Sequence, residues 1–226
     1  MTYSRWRRSC RISEYHNILI KSMKRVICTL LLLMLSLPAM AQTAAREWLD
    51  RLDASLGARY AMQLYVALGE VRNVADQFSG YFIVDGDAYY MNLGTMEVYS
   101  DGKLRYEVNN ERKEVTEDRV NLEAVDLLSN PTRAFDFVDE EYDVRVVSVV
   151  GDVATIELKP KSADLGITAI LLTLQREGKS VIPTLICYDY EGDEIRIELT
   201  MVDATSAPMP RWDAKSYRAY DIVSFL

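Results

Sequence analysis

Between Gly80 and Val115 the chain reads GYFIVDGDAYYMNLGTMEVYSDGKLRYEVNNERKEV, short runs of Tyr, Phe, Ile, Val and Met broken by DGD, NLG, SDGK and NNER. Aromatic and β-branched runs favour strands, and Asp-Gly or Asn-rich pairs accept the positive φ that tight hairpin turns demand. The pattern predicts a meander of about five antiparallel strands. Within it Tyr81 and Ile83 alternate with Phe82 and Val84, and Leu104, Tyr106 and Val108 alternate with Lys103, Arg105 and Glu107. Alternation with period two sorts side chains onto opposite faces, which predicts one dry and one wetter face.

Upstream, Thr43 to Leu56 carries Trp48, Leu49, Leu52 and Leu56 at helical spacing among charged residues, with Gly57 placed to end the helix. Trp48 is either a core anchor or part of a helix lying over an opening in the sheet. Tyr60 to Val71 reads as the first long strand, with Met62, Leu64, Val66 and Leu68 on one face. After the meander, Thr116 to Ser129 is expected to be a helix that stops at Asn130-Pro131, and Thr132 to Phe135 a second short helical turn. Strands are then expected at 142–150, 153–158, 167–174, 181–190 and 194–202, and a last one at 217–225 follows a linker through Pro208 and Pro210. The reading is eleven or twelve strands and two or three helices in one domain, 42–226.

Two strands look apolar on both faces. In one, Ile170, Leu172 and Leu174 oppose Ala169 and Leu171; in the other, Ile182, Ile186 and Tyr188 oppose Val181, Leu185 and Cys187. Such strands need cover on each side, by a helix or around an enclosed apolar space.

Residues 1–41 read as a leader. Met23-Lys24-Arg25 is a basic start, Val26 to Leu37 an apolar run, and Ala39-Met40-Ala41 a small-x-small cleavage pattern. The run is shorter than the roughly twenty residues that span a bilayer. Translation is expected to begin at Met23, and the mature chain near Gln42.

Removing the leader alters the charge. Of the 26 basic and 34 acidic residues, seven and one lie in 1–41, leaving 19 against 33, a net −14. Such a surface repels phosphate backbones, so no nucleic-acid partner is expected. The only histidine, His16, leaves with the leader, and with it Ser-His-Asp and Cys-His catalysis and most zinc sites. Cys187 remains as a single thiol, read as buried and inert. The densest acidic cluster, Asp136, Asp139, Glu140, Glu141 and Asp143, lacks calcium-loop spacing and reads as a solvated turn. No catalytic residue, metal site or cofactor is expected.

With these elements in order, the chain resembles the LolA-like outer-membrane lipoprotein carrier family. The specific parts are VYSDGKLRYEVNNERKEV, Val98 to Val115, and the segment ending LLSNP at Pro131. The resemblance implies a mainly β (α+β), single-domain incomplete antiparallel β-barrel of about eleven strands around an apolar cavity, with two or three lid helices. Members carry triacylated lipoproteins across the periplasm, from an inner-membrane ATP-driven release complex to an outer-membrane acceptor. The acceptor is itself a lipoprotein, whereas Cys28 here lies near the start of the apolar run and not at its end, so the likeness is to the carrier. A soluble, periplasmic monomer binding acylated lipoproteins or other lipids is expected.

The cavity lining expected from this reading is Met62, Leu64, Val66, Phe82, Val84, Met91, Met96, Leu172, Ile186, Ile197 and Leu199, with Trp48, Leu52, Leu122 and Val125 in the lid. For each lining residue plain core packing is at least as good a reading. A chain of about fourteen carbons removed from water gains on the order of 10 kcal/mol. One departure stands out. Where the family often places an Arg-Pro after the second strand, whose arginine holds the lid, this chain has Asp85-Gly86-Asp87.

Overall fold

The computed structural model describes residues 43–68, 77–137, 140–162, 166–190, 193–202 and 208–226. The expected leader and start at Met23 lie outside these residues, as do Asp139 and the Glu191-Gly192 turn. Ala44–Leu226 forms one compact unit.

Helix α1 spans 43–56, and Gly57 ends it with φ +62° while donating its N–H to the Asp53 carbonyl at 3.1 Å. The strands follow as β1 (Arg59–Leu68), β2 (Gln77–Asp85), β3 (Ala88–Leu93), β4 (Met96–Ser100), β5 (Leu104–Asn109), β6 (Glu114–Arg119), β7 (Tyr142–Val150), β8 (Val153–Pro160), β9 (Ala169–Glu177), β10 (Ser180–Tyr190), β11 (Asp193–Val202) and β12 (Asp221–Ser224). They form one sheet in the order β12-β6-β5-β4-β3-β2-β1-β11-β10-β9-β8-β7. Every pairing is antiparallel except β12 with β6. With β12 and β7 at its two edges, the sheet is open rather than closed into a barrel, as the incomplete-barrel reading requires.

Gly80 allows β2 and β3 to approach closely. A Cβ there would stand 2.1 Å from the Asn92 carbonyl oxygen, so no other residue fits without moving backbone.

The expected helix from 116 to 129 does not form, nor does a helix after it; α1 is the one helix among the described residues. Residues Thr116–Arg119 complete β6 instead, and 120–137 is a chain of turns. Short polar side chains bind the backbone that a helix would have used. Asn121 Oδ1 accepts Glu123 N–H at 3.0 Å, Asp126 Oδ1 accepts Leu128 and Ser129 N–H at 3.2 and 2.9 Å, and Asn130 Oδ1 accepts Thr132 N–H at 3.3 Å. The apolar spacing still buries Val125 and Leu127, but by turns.

A bulge between Pro183 and Leu185 shifts the phase of β10. Val181 therefore joins Ile186 and Tyr188 on the buried face, against the strict alternation that put it opposite them. Cover on both faces of β9 and β10 is also incomplete, since Leu171 is exposed and Leu185 half-buried. Cys187 is buried, and burial pushes its thiol pKa up.

The segment expected to link to a strand at 217 packs as a strap. Residues 208–220 lie on the sheet face opposite α1, where Met209 is buried with Ala61, Ile83, Tyr90, Tyr99, Val108 and Val115. Trp212 stacks between Tyr106 and Tyr217, centroids 4.4 and 5.0 Å away at 8° and 7°. Glu97 holds the strap down, accepting hydrogen bonds from Tyr90 at 2.6 Å, Tyr217 and Asn110 at 3.2 Å, and Tyr99 at 3.4 Å. The last strand therefore begins only at Asp221.

Candidate functional site

The sheet face under α1, its inner face, collects the apolar residues of β1–β4 and β7–β11. Cross-strand register sets them side by side: Leu64 opposite Leu199, Met62 opposite Phe82, Phe82 opposite Met91, Ile186 opposite Ile197 and Leu172, and Leu172 opposite Ile156. Ten of the eleven lining candidates, Met62, Leu64, Val66, Phe82, Val84, Met91, Leu172, Ile186, Ile197 and Leu199, belong to a single buried cluster. Met96 stands at the start of β4 and is half-buried.

The dry zone ends at β4. In β5 the residues in register with this face are polar: Glu107 lies opposite Val98, and Arg105, ion-paired to Glu107 at 3.1 Å, lies opposite Ser100. Tyr106 and Val108 turn to the strap side. Alternation in the sequence shows that a strand has two unlike faces but not which face each neighbour shares.

Two pieces of chain close over the inner face. The first is α1, whose Trp48, Leu49, Leu52 and Leu56 are buried in the same cluster. Four such side chains gain roughly 1.5–3 kcal/mol each. Polar contacts fix the helix: Arg46 Nη1 donates to the Phe137 carbonyl at 2.6 Å, Ser55 Oγ accepts Val181 N–H at 2.9 Å, and the Arg176 guanidinium lies 4.4 Å from the centroid of the Trp48 ring.

The second piece is the turn-rich segment 120–137. It contributes Val125, Leu127, Ala134 and Phe137 to the cluster. Tyr188 Oη accepts Leu127 N–H at 2.9 Å, and Tyr60 Oη donates to the Pro131 carbonyl at 3.1 Å. Burial raises the pKa of both tyrosines well above its ordinary value, so these bridges persist through the accessible pH range. Of the four lid candidates, Trp48, Leu52 and Val125 lie in this cover, while Leu122 is 66% exposed and faces solvent.

Asp85-Gly86-Asp87 turns tightly out of β2, and Asp85 pairs with Arg59 at the start of β1 at 3.2 Å. Among the arginines that hold α1 in place are Arg46 and Arg176, which sequence spacing alone did not single out. Their only signal was charge at the rim of an apolar stripe.

Beside the 120–137 segment a pocket of about 510 Å³ opens between it and the start of β7, lined by Glu123, Val125, Arg133, Glu140, Glu141, Tyr142, Pro160, Lys161 and Ser162. On the other face a shallower depression of about 560 Å³ lies over β1, β2 and β11. No helix among the described residues is long and apolar enough to cross a membrane.

No family model matches the chain, and no curated protein matches it. Solved structures do. An uncharacterized conserved protein from Thermus thermophilus aligns with TM-score 0.50 and 12% identity over 80% of this chain and 99% of that one. A LolA superfamily protein from Nitrosomonas europaea aligns with TM-score 0.40 and 10% identity, over 76% and 96%. A putative outer membrane lipoprotein-sorting protein domain from Vibrio parahaemolyticus aligns with TM-score 0.41 and 10% identity, over 80% and 97%. At these identities the likeness is one of fold.

Proposed function

We propose that the protein is a periplasmic carrier that takes the acyl chains of lipoproteins onto the inner face of its sheet and delivers them to the outer membrane. One observation carries the reading. Among the described residues, a wide apolar sheet face is covered not by a second sheet but by one helix and a run of turns. A helix of this length is marginal by itself in water and is held by its apolar face and a few polar contacts, so it can lift as a unit. Acyl chains then take the place of Trp48, Leu49, Leu52 and Leu56, and the exchange of one apolar surface for another keeps uptake reversible. The family resemblance of Val98–Val115 and of LLSNP supports the same reading.

A binder of another lipid on the same fold is the second reading, favoured by the Asp85-Gly86-Asp87 turn in place of the family's Arg-Pro. One experiment serves both. The protein is purified from periplasm and its solvent-extracted ligands are identified by mass spectrometry, alongside a pull-down of acylated proteins. Acylated polypeptide in the pull-down supports the first reading, and another lipid in the extract supports the second. An empty extract together with no uptake of a fluorescent fatty acid overturns both.

A further inference from the structure

On the strap side of the sheet an aromatic ladder runs across the strands and out from under its cover. Tyr99 and Tyr90 stand 5.0 Å apart, centroid to centroid, and Tyr81 follows Tyr90 at 5.7 Å. Tyr90 is 3% exposed and Tyr81 38%, so the ladder leaves the strap between these two rungs. One diagonal step further, on β1, Tyr65 is 41% exposed. Its hydroxyl donates to the Gln77 side chain, which holds the ring in place. Where the strap lies, Trp212 stacks on Tyr106 and Tyr217. Where it stops, two aromatic rings stay half open to water.

These two rings line the depression of about 560 Å³ over β1, β2 and β11. Cross-strand register brings its polar groups to the same face: Gln63 lies between Tyr81 and Thr200, and Tyr65 between Ser79 and Glu198. Gly80 and Gly94 add backbone without side chains. Gln63, Ser79 and Thr200 are exposed and make no side-chain hydrogen bond among the described residues. Together they offer an amide and two hydroxyls, which both donate and accept. Glu198 Oε1 lies 3.5 Å from Arg196, and no Lys or Arg lines the depression.

We propose that this depression binds a neutral pyranose sugar, free or as a unit of a glycan. A pyranose has the profile that the lining asks for: a flat C–H face to pack on an aromatic ring, and a rim of hydroxyls that need donors and acceptors around it. Tyr65 and Tyr81 supply the rings, continuing outward the stacking that Trp212 completes under the strap. Gln63, Ser79, Thr200 and Glu198 supply the partners for the hydroxyls. An apolar side chain from a protein partner would cover the same rings but leave those four groups unsatisfied. An anionic ligand would meet Glu198 and find no cation in the lining. The volume suits one or two sugar rings, since small-molecule sites run from roughly 300 to 1,000 Å³. The site lies on the sheet face opposite α1, so it does not depend on the inner face taking acyl chains.

The test titrates the full chain, isotope-labelled for NMR, with cellotriose, maltotriose, chitotriose and trigalacturonic acid, the last carrying a carboxylate on every ring. At least one neutral trisaccharide is expected to bind with a Kd of about 1 mM or tighter. Its amide shifts should centre on 63–65, 79–81 and 198–200, and trigalacturonic acid should bind about tenfold more weakly. Tyr65→Ala weakens the neutral sugar about tenfold, the scale of one lost stacking ring, and Gln63→Ala a few-fold. Both side chains are exposed, and unchanged amide positions away from the depression report that the variants fold. Absence of binding by all three neutral sugars overturns the proposal, as do shifts centred elsewhere or affinities that neither variant alters. Equal or tighter binding of trigalacturonic acid overturns the assignment to a neutral sugar. None of these outcomes bears on the inner-face reading, which fatty-acid uptake tests separately.

Discussion

Leu52 offers the sharpest test of whether α1 is a separable cover. It is 1% exposed at the centre of the helix's apolar stripe. Truncation to Ala removes a buried isobutyl group, which costs about 2–5 kcal/mol in a well-packed site. The whole apolar face of α1 contributes roughly 6–12 kcal/mol from Trp48, Leu49, Leu52 and Leu56. The substitution therefore removes a large part of what holds the helix down while leaving every strand pairing intact. At 1.4 kcal/mol per tenfold, the equilibrium for lifting α1 moves by roughly thirty-fold to a few thousand-fold. Native-state hydrogen exchange reads this directly. Amides of 47–56 should exchange faster by that factor in Leu52→Ala, while those of β1, β10 and β11 change only as far as global stability falls. Uptake of a fluorescent fatty acid should speed up in parallel. If α1 and the central strands lose protection together, the helix is part of one cooperative core, and a lifting cover is refuted.

Three further outcomes follow from the geometry. Trp212→Ala removes the ring between Tyr106 and Tyr217 and should lower stability by about 1–3 kcal/mol in urea denaturation without altering probe uptake, since the strap lies on the far face of the sheet. Gly80→Ala drives a Cβ into the Asn92 carbonyl, so the backbone of β2 or β3 must move; a drop in Tm of several degrees is expected, and an unchanged Tm would contradict the close approach. Glu97 gives a pH signature. Burial by itself would raise its pKa, but hydrogen bonds from Tyr90, Asn110, Tyr217 and Tyr99 bring it below the usual carboxylate value. A folded pKa below the unfolded one, about 4.3, means stability that is fully present above that value and lost as pH falls through the folded pKa. Denaturation at pH 7 and at pH 3 should therefore differ more for the wild type than for Glu97→Gln.

Much of the sheet could be read from alternation and turn residues. The hairpins from Gly80 to Val115 and the clean alternation of Ile195, Ile197, Leu199 and Met201 appear where spacing puts them. Three features were hidden for different reasons. Val120, Leu122 and Val125 have helix-like spacing, but Asn121, Asp126 and Asn130 bind nearby backbone N–H groups and favour turns, a competition between side chain and backbone that periodicity does not register. The bulge at Pro183 moved Val181 from one face to the other, and one inserted residue leaves no trace in composition. The strap was masked because Met209, Trp212 and Tyr217 sit among prolines and charges with no regular period. Of the candidate site, the inner-face residues of β1, β2, β9, β10 and β11 were legible, because burial on one side imposes alternation. Arg46 and Arg176 were not, since their roles depend on chain segments far away in sequence.

The place of β1 in the sheet also has a kinetic side. It lies between β2, its successor, and β11, which is made more than a hundred residues later. The hairpins β2–β6 and β7–β11 consist of neighbours and can each zip up locally. The seam that unites them waits for β1 and β11, far apart in sequence, to meet, and that closure costs entropy before any contact between them forms. Acquisition of native structure should accordingly be gated by a single late joining step, and a newly made chain will spend its longest interval as two finished half-sheets with the greasy side of each open to water.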